Sequence, residues 1–240
     1  MHKNIFVIIP AYNATATIES VLRRVTKTML SKIKSFIIVD DGSIDNTSEV
    51  VKELSKKFNI HLVKHEVNKG YAMTQKTGIK IAQKKGADVV VILHADGQYA
   101  PEEMGKLIRP IENNEADVVQ GSRMLAHPIK GGMPVYKFLA NRILTEIENL
   151  TFHMNLAEYH SGYMIYSKKT LEKIPYEKLS DTFHFDGEML MMANIKSLRI
   201  KEIPIPTAYG NEKSYLKSVP YGFCVLAIII KYLFGKYHAL

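Results

Sequence analysis

Apolar runs that stop abruptly at polar clusters dominate the first half of this chain. Ile5-Phe6-Val7-Ile8-Ile9 ends at Pro10-Ala11-Tyr12-Asn13, and Phe36-Ile37-Ile38-Val39 ends at Asp40-Asp41-Gly42-Ser43. His61-Leu62-Val63 is a third short run, Val89-Val90-Val91-Ile92-Leu93 ends at His94-Ala95-Asp96, and Val118-Val119 begins a fifth. A strand that is apolar at every position has no face for water, so it is buried on both sides. Between the runs the spacing turns helical over 15–30, 47–58, 74–85 and 101–113, the last with Pro101 in its first turn. Strand-helix alternation of this kind predicts an α/β fold: a mostly parallel central sheet with helices on both faces. Ligands of such sheets bind beyond the carboxyl ends of the strands. The clusters after Ile9, Val39 and Leu93 should therefore converge on one site.

The second half is less regular. A helix with a basic, polar edge is expected over about 133–156, a returning strand over 161–167, a helix over 186–193 and an edge strand over 200–205, given Pro204 and Pro206. Residues 219–232 are apolar apart from Gly222 and Lys231. That is short of the roughly 20 residues a membrane span needs, so a packed or interfacial helix is expected, flanked by Lys217, Lys231 and Lys236. The one cysteine, Cys224, lies in this stretch. A lone cysteine without a signal peptide points to a reducing, cytoplasmic location, with peripheral contact at the cytoplasmic membrane face left open. The net charge of +8 favours anionic partners such as phosphorylated substrates or an acidic membrane. The basic residues are scattered and carry no nucleic-acid-binding signature, so nucleic acid is not expected as a partner.

Two clusters permit specific chemistry. Asp40 and Asp41 at a strand end can accept hydrogen bonds from a base or ribose, while Gly42 allows a close turn; the same residues also read as a capped turn. Asp96 can ligate a divalent cation, for which hard oxygen donors suit Mg2+ or Mn2+, and such a cation would neutralise a diphosphate leaving group. His94 is a second ligand, a donor behind the ligands, or merely a strand-end residue.

Taken in order, Pro10-Ala11-Tyr12-Asn13, Val39-Asp40-Asp41-Gly42-Ser43, Asn68-Lys69-Gly70, His94-Ala95-Asp96-Gly97-Gln98 and Gly121-Ser122-Arg123 resemble the motifs of family 2 glycosyltransferases. Ser161-Gly162-Tyr163 looks like that family's acceptor-side motif, and Phe185-Asp186-Gly187-Glu188-Met189 and the segment 200–206 resemble its later ones. The likeness covers about residues 3–215 and is strongest to the dolichol-phosphate mannose synthase and polyprenyl-phosphate glycosyltransferase branch. It implies a GT-A fold and a catalytic domain over 1–215; beyond it the apolar run reads as a carboxyl-terminal helix over 216–240 serving packing, a homodimer or a membrane surface. The resemblance also implies an inverting transfer from a UDP- or GDP-sugar to a lipid-phosphate or glycan acceptor. Pro10, Ala11, Tyr12, Glu19, Asp40, Asp41, Lys69, Ala95, Asp96 and Gln98 would bind the nucleotide sugar. Asp96, with His94, would hold the metal, and Arg123 and Arg142 would face phosphate. An inverting transfer to a hydroxyl needs a base; Glu158 is the first candidate and His160 the second, though a phosphate acceptor needs none.

The sequence departs from the family twice: His94 stands where an acidic residue is usual, and Met164 where an arginine often follows the Ser-Gly motif. The first departure leaves an alternative open, a catalytically impaired nucleotide-binding module serving a partner. A nucleotidyltransferase is disfavoured, because no glycine-rich amino-terminal loop is present to cradle a triphosphate.

Overall fold

The computed structural model describes residues 3–206 and 218–240. The strands are β1 (Ile5–Ala11), β2 (Ile33–Asp40), β3 (Ile60–Lys64), β4 (Val89–Ile92), β5 (Val118–Ser122), β6 (Met164–Ser167) and β7 (Ile200–Pro204). The α-helices are α1 (Ile18–Arg23), α2 (Lys27–Leu30), α3 (Thr47–Leu54), α4 (Tyr71–Lys84), α5 (Met104–Glu112), α6 (Val135–Phe152), α7 (Lys168–Lys173), α8 (Phe185–Ile195) and α9 (Ser218–Leu233).

The strands form one sheet in the order β3-β2-β1-β4-β6-β5-β7. Every pairing is parallel except those of β6, which runs antiparallel to β4 and β5. The parallel α/β sheet expected from the sequence is thus observed, with one reversed strand in it. Alternate residues of β1 divide between two cores. Ile5, Val7 and Ile9 pack with Ile18, Leu22 and Val51, while Phe6 and Ile8 pack with Ala72 and Ile79. This two-sided burial is why the strand carries no polar residue before its end.

The helix expected over 15–30 is broken in two. Thr26 has an extended backbone and accepts the Met29 amide through its side chain, which caps a new helix, α2. The hydrophobic spacing runs through the break and so could not reveal it. The helix expected from Pro101 begins as a 3-10 turn, Pro101–Glu103, before α5. The apolar tail forms α9, which packs against α6, and its Val225, Ile228 and Ile229 join the core that also holds residues of α4 and α8. The domain boundary expected between 215 and 216, and the flanking Lys217, lie outside the described residues.

Candidate active site

After β1 the chain moves outward through β2 to β3, then returns to the other flank of β1 as β4. That reversal opens the crevice where ligands of doubly wound sheets bind. The turns after β1, β2 and β4 meet there. Asp41 N donates to Ala11 O at 2.8 Å, and Asn13 N donates to Ser43 Oγ at 2.9 Å. Ala14 N donates to Thr47 Oγ1 at 2.8 Å, so the loops after β1 and β2 are stitched into one wall.

Asp40 and Asp41 build that wall. Asp40 is fully buried; its Oδ1 accepts Ser43 N at 2.9 Å and its Oδ2 accepts the Ser48 hydroxyl. Asp41 accepts His65 Nδ1 at 2.7 Å and Lys69 N at 2.9 Å through Oδ1, and Gly70 N at 2.8 Å through Oδ2. Direct ligand contacts were expected of both carboxylates; here the Asp40 carboxylate closes its own turn through Ser43 and Ser48, and the Asp41 carboxylate holds the 65–70 segment against the strand ends. Lys69 enters this network through its backbone. Gly42 sits at φ +70°, and a Cβ there would lie 2.7 Å from the Val67 carbonyl carbon, so a side chain would break the turn. Pro10 and Ala11 are the last residues of β1, and Tyr12 follows them half-buried.

Asp96 is the strand-end acid with capacity to spare. It is half-buried, and the one hydrogen bond its carboxylate makes among the described residues is from Gln98 N to Oδ1, at 3.0 Å. Ala95 beside it is buried. Arg24, which sequence reasoning missed, ties this turn down: Nη1 donates to Gly97 O at 3.2 Å, and the guanidinium grips Glu102 at 2.8 and 3.0 Å.

His94 takes part in a buried relay. The Tyr71 hydroxyl donates to Asp186 Oδ2 at 2.6 Å, so its oxygen must receive the proton on His94 Nε2, 2.7 Å away. Gln75 Nε2 also donates to Asp186, at 3.1 Å. Burial raises the Asp186 carboxyl above its ordinary range, and burial together with the Asp186 charge pushes the Tyr71 hydroxyl well up. His94 can therefore offer a ligand only Nδ1. Tyr71 and Tyr99 meet its ring edge-on, at 5.2 and 4.9 Å between centroids, and Phe183 stacks on Tyr71 at 5.6 Å. Gly162 closes the relay from the other side: a Cβ there would lie 2.4 Å from His94 Nε2 and 2.5 Å from the Tyr71 hydroxyl. The Ser-Gly-Tyr segment and the His94 turn thus lie against each other. The His94 and Phe185-Asp186 segments that contribute to the relay were visible in sequence, but the pairing of Tyr71 with Asp186 across 115 positions was not.

Glu158 is not arranged as a base. It is fully buried, accepts Arg123 N at 2.5 Å and Met124 N at 3.2 Å, and pairs with Arg123 Nη2 at 2.8 Å. Arg123 Nη2 also donates to the His160 carbonyl at 2.6 Å, and its side chain is 15% exposed. Glu158 accordingly holds Arg123 at the end of β5. The His160 imidazole turns inward toward Glu148, 3.2 Å away, and does not face the strand ends as a second base would. Glu19 pairs with Arg23 at 2.6 Å and Arg142 with Glu146 at 3.2 Å, both on exposed helix faces. Among the described residues neither pair joins the cluster; each charge meets its i,i+4 neighbour instead.

Comparison with known proteins agrees with this architecture. Residues 6–175 match the family model described as glycosyl transferase family 2. A UDP-N-acetylglucosamine–dolichyl-phosphate N-acetylglucosaminyltransferase of Methanococcus voltae is 34% identical over 98% of both chains. A dolichol-phosphate mannosyltransferase of Pyrococcus furiosus is 28% identical over 85% of this chain and 56% of its own. Among solved structures, glucosyl-3-phosphoglycerate synthase from Mycobacterium tuberculosis, in complex with Mn2+, UDP-glucose and phosphoglyceric acid, superposes with a TM-score of 0.72. It covers 95% of this chain and 79% of its own at 18% identity, a likeness of fold.

Proposed function

This chain belongs to glycosyl transferase family 2 and is a glycosyltransferase of GT-A fold that uses a nucleotide-sugar donor, and on that premise we propose that it passes the sugar of a UDP- or GDP-sugar to a polyprenyl phosphate at a membrane surface. The observation that carries the acceptor is an inverted helix. α6 buries the polar Thr145, Glu148 and Asn149 together with Phe152, and turns Tyr136, Leu139, Ile143, Ile147 and Leu150 to solvent. α9 packs beside it and exposes Phe223, Leu226, Ile230 and Leu233. An apolar stripe repeating every three to four residues on the outside of a helix pair is a surface built to meet something apolar. With the net charge of +8, an anionic bilayer is the fitting occupant. No helix among the described residues is long and apolar enough to cross a membrane, so contact would be along the surface. The relatives whose names specify dolichyl or dolichol phosphate support the same acceptor class.

In this reading the wall made by Asp40, Asp41 and the 65–70 segment receives the nucleotide, with Tyr12 and the ends of β1 and β2 beside it. Asp96 and Gln98 supply oxygen donors that fit Mg2+ or Mn2+, His94 can add only Nδ1, and a bound cation would neutralise charge on the departing diphosphate. Arg123, fixed by Glu158 and the His160 carbonyl, presents a guanidinium for the acceptor phosphate. Such an acceptor is already an anion, so attack needs no carboxylate base, in keeping with the inward commitments of Glu158 and His160. α9 packs against the core with Val225, Ile228 and Ile229 and, in this reading, offers its outer face to the bilayer.

The test is transfer from a panel of nucleotide sugars to polyprenyl phosphate in anionic vesicles, with a soluble glycan as the competing acceptor. Sugar appearing on the lipid phosphate supports the reading. Sugar appearing only on the glycan overturns the acceptor. Binding of the donor without consumption, with or without Mn2+, would instead mark an impaired module.

A further inference from the structure

Behind the acceptor segment lies a second cluster that the transfer mechanism does not use. Glu148 of α6, His160 and His184 each bring a ligand atom within 4.8 Å of the others. Their side chains are 0, 7 and 1% exposed. Glu148 Oε1 lies 2.9 Å from His184 Nε2, and Oε2 lies 3.2 Å from His160 Nε2. Despite those distances, none of the four atoms is aligned for a hydrogen bond. Among the described residues these four buried polar atoms converge without pairing, an arrangement that proteins otherwise avoid.

The outer nitrogens explain what the inner ones await. His160 Nδ1 and His184 Nδ1 both lie 2.8 Å from the Tyr221 hydroxyl. If that hydroxyl donated to one ring, one imidazole would carry its proton on Nε2 and the other on Nδ1. If both Nδ1–H groups donate to the phenol oxygen, both Nε2 lone pairs face the Glu148 carboxylate. That second state is repulsive when empty and complete when a cation sits among the three groups. A metal-bound histidine characteristically passes its other N–H to an oxygen in this way.

The surroundings make room for these rings. A Cβ on Gly187 would lie 2.3 Å from the His184 ring, so the glycine of Phe185-Asp186-Gly187-Glu188 is what lets that imidazole occupy its place. We propose that Glu148, His160 and His184 form a buried divalent-metal site, distinct from the donor cation site at Asp96, that takes a zinc-like ion. Two imidazoles and one carboxylate are a ligand set for zinc, whereas magnesium prefers oxygen alone. Bound there, the ion clips α6, the acceptor segment and the start of α8 together, with Tyr221 extending the clip to α9.

The test uses full-length chain without a histidine tag, stripped with a chelator and titrated with zinc chloride. An Asp96→Ala chain should still take up one zinc per chain, and zinc-edge X-ray absorption should show scattering from two imidazoles. His184→Gln should lose that equivalent, with its circular dichroism unchanged. If His184→Gln fails to fold, the absorption spectrum of the Asp96→Ala chain decides alone. No stoichiometric zinc in that chain, or zinc without imidazole scattering, would overturn the proposal and leave one histidine protonated against Glu148 in its place.

Discussion

Gly162 and His94 are so close that a Cβ on the glycine would fall 2.4 Å from the imidazole Nε2, inside any permitted contact. Because that nitrogen also bonds to Tyr71, and Tyr71 to Asp186, a methyl group there strains three side chains together. Gly162→Ala should cost about 1–3 kcal/mol of stability, as overpacking of a close-packed site does. It should also lower transfer at least tenfold, because the His94 turn carries Asp96. Denaturant unfolding and an initial-rate assay on the same preparation check this. A variant with wild-type rate and stability contradicts the close packing described.

Glu158 and Arg123 are expected to fail as a unit. Removing one partner of a buried pair leaves an uncompensated charge, at a cost of about 3–5 kcal/mol. Glu158→Ala should therefore unfold at markedly lower urea concentration, with activity falling in step. A Glu158→Gln chain that kept wild-type stability yet lost all turnover would restore the carboxylate as a base.

A pH dependence follows from Asp117. Its side chain is 5% exposed and accepts Arg199 Nε at 3.0 Å, Arg199 Nη2 at 3.1 Å and Lys169 Nζ at 3.1 Å. The Arg199 hydrogen bonds hold its carboxyl well below the ordinary carboxylate range. A depressed folded-state value means the contribution is fully present above the unfolded value of about 3.9. It is lost as pH falls below that value toward the folded one. Melting temperatures between pH 5 and pH 2 should fall more steeply for the wild type than for Asp117→Asn. Parallel curves would remove Asp117 as a source of acid sensitivity.

The outer stripe of α6 makes a prediction that stability does not touch. Leu139 and Ile143 are 53 and 61% exposed, so Leu139→Glu with Ile143→Glu should change folding by roughly 0.5 kcal/mol per site or less. The pair should abolish flotation with anionic vesicles. Sedimentation in the same experiment separates the alternatives: a wild-type dimer dispersed by the substitutions would make the stripe a self-contact.

Much of this was legible in the sequence, for physical reasons that differ by segment. The strand ends were readable because β1, β2 and β4 are buried on both faces, so polarity begins where the sheet stops. The division of labour among the acids was not. Asp40, Asp41 and Asp96 all follow apolar runs, yet only the fold reveals that Ser43, Ser48, His65 and two backbone amides occupy the first two. Glu158 looked like a base because of its place before Ser161. Its partner Arg123 is 35 positions away, and such a pairing leaves no periodic trace. The cluster of Glu148, His160 and His184 escaped for the same reason, its members lying on three separate elements.

Asp96 is the residue on which the donor chemistry turns. Its direct test is consumption of a nucleotide sugar with Mn2+ by the wild type and by Asp96→Ala, each checked for an unchanged melting transition. A role for Asp96 in holding the cation predicts turnover by the wild type that a chelator abolishes, and none by the folded variant. Equal, chelator-insensitive turnover by both chains would contradict it.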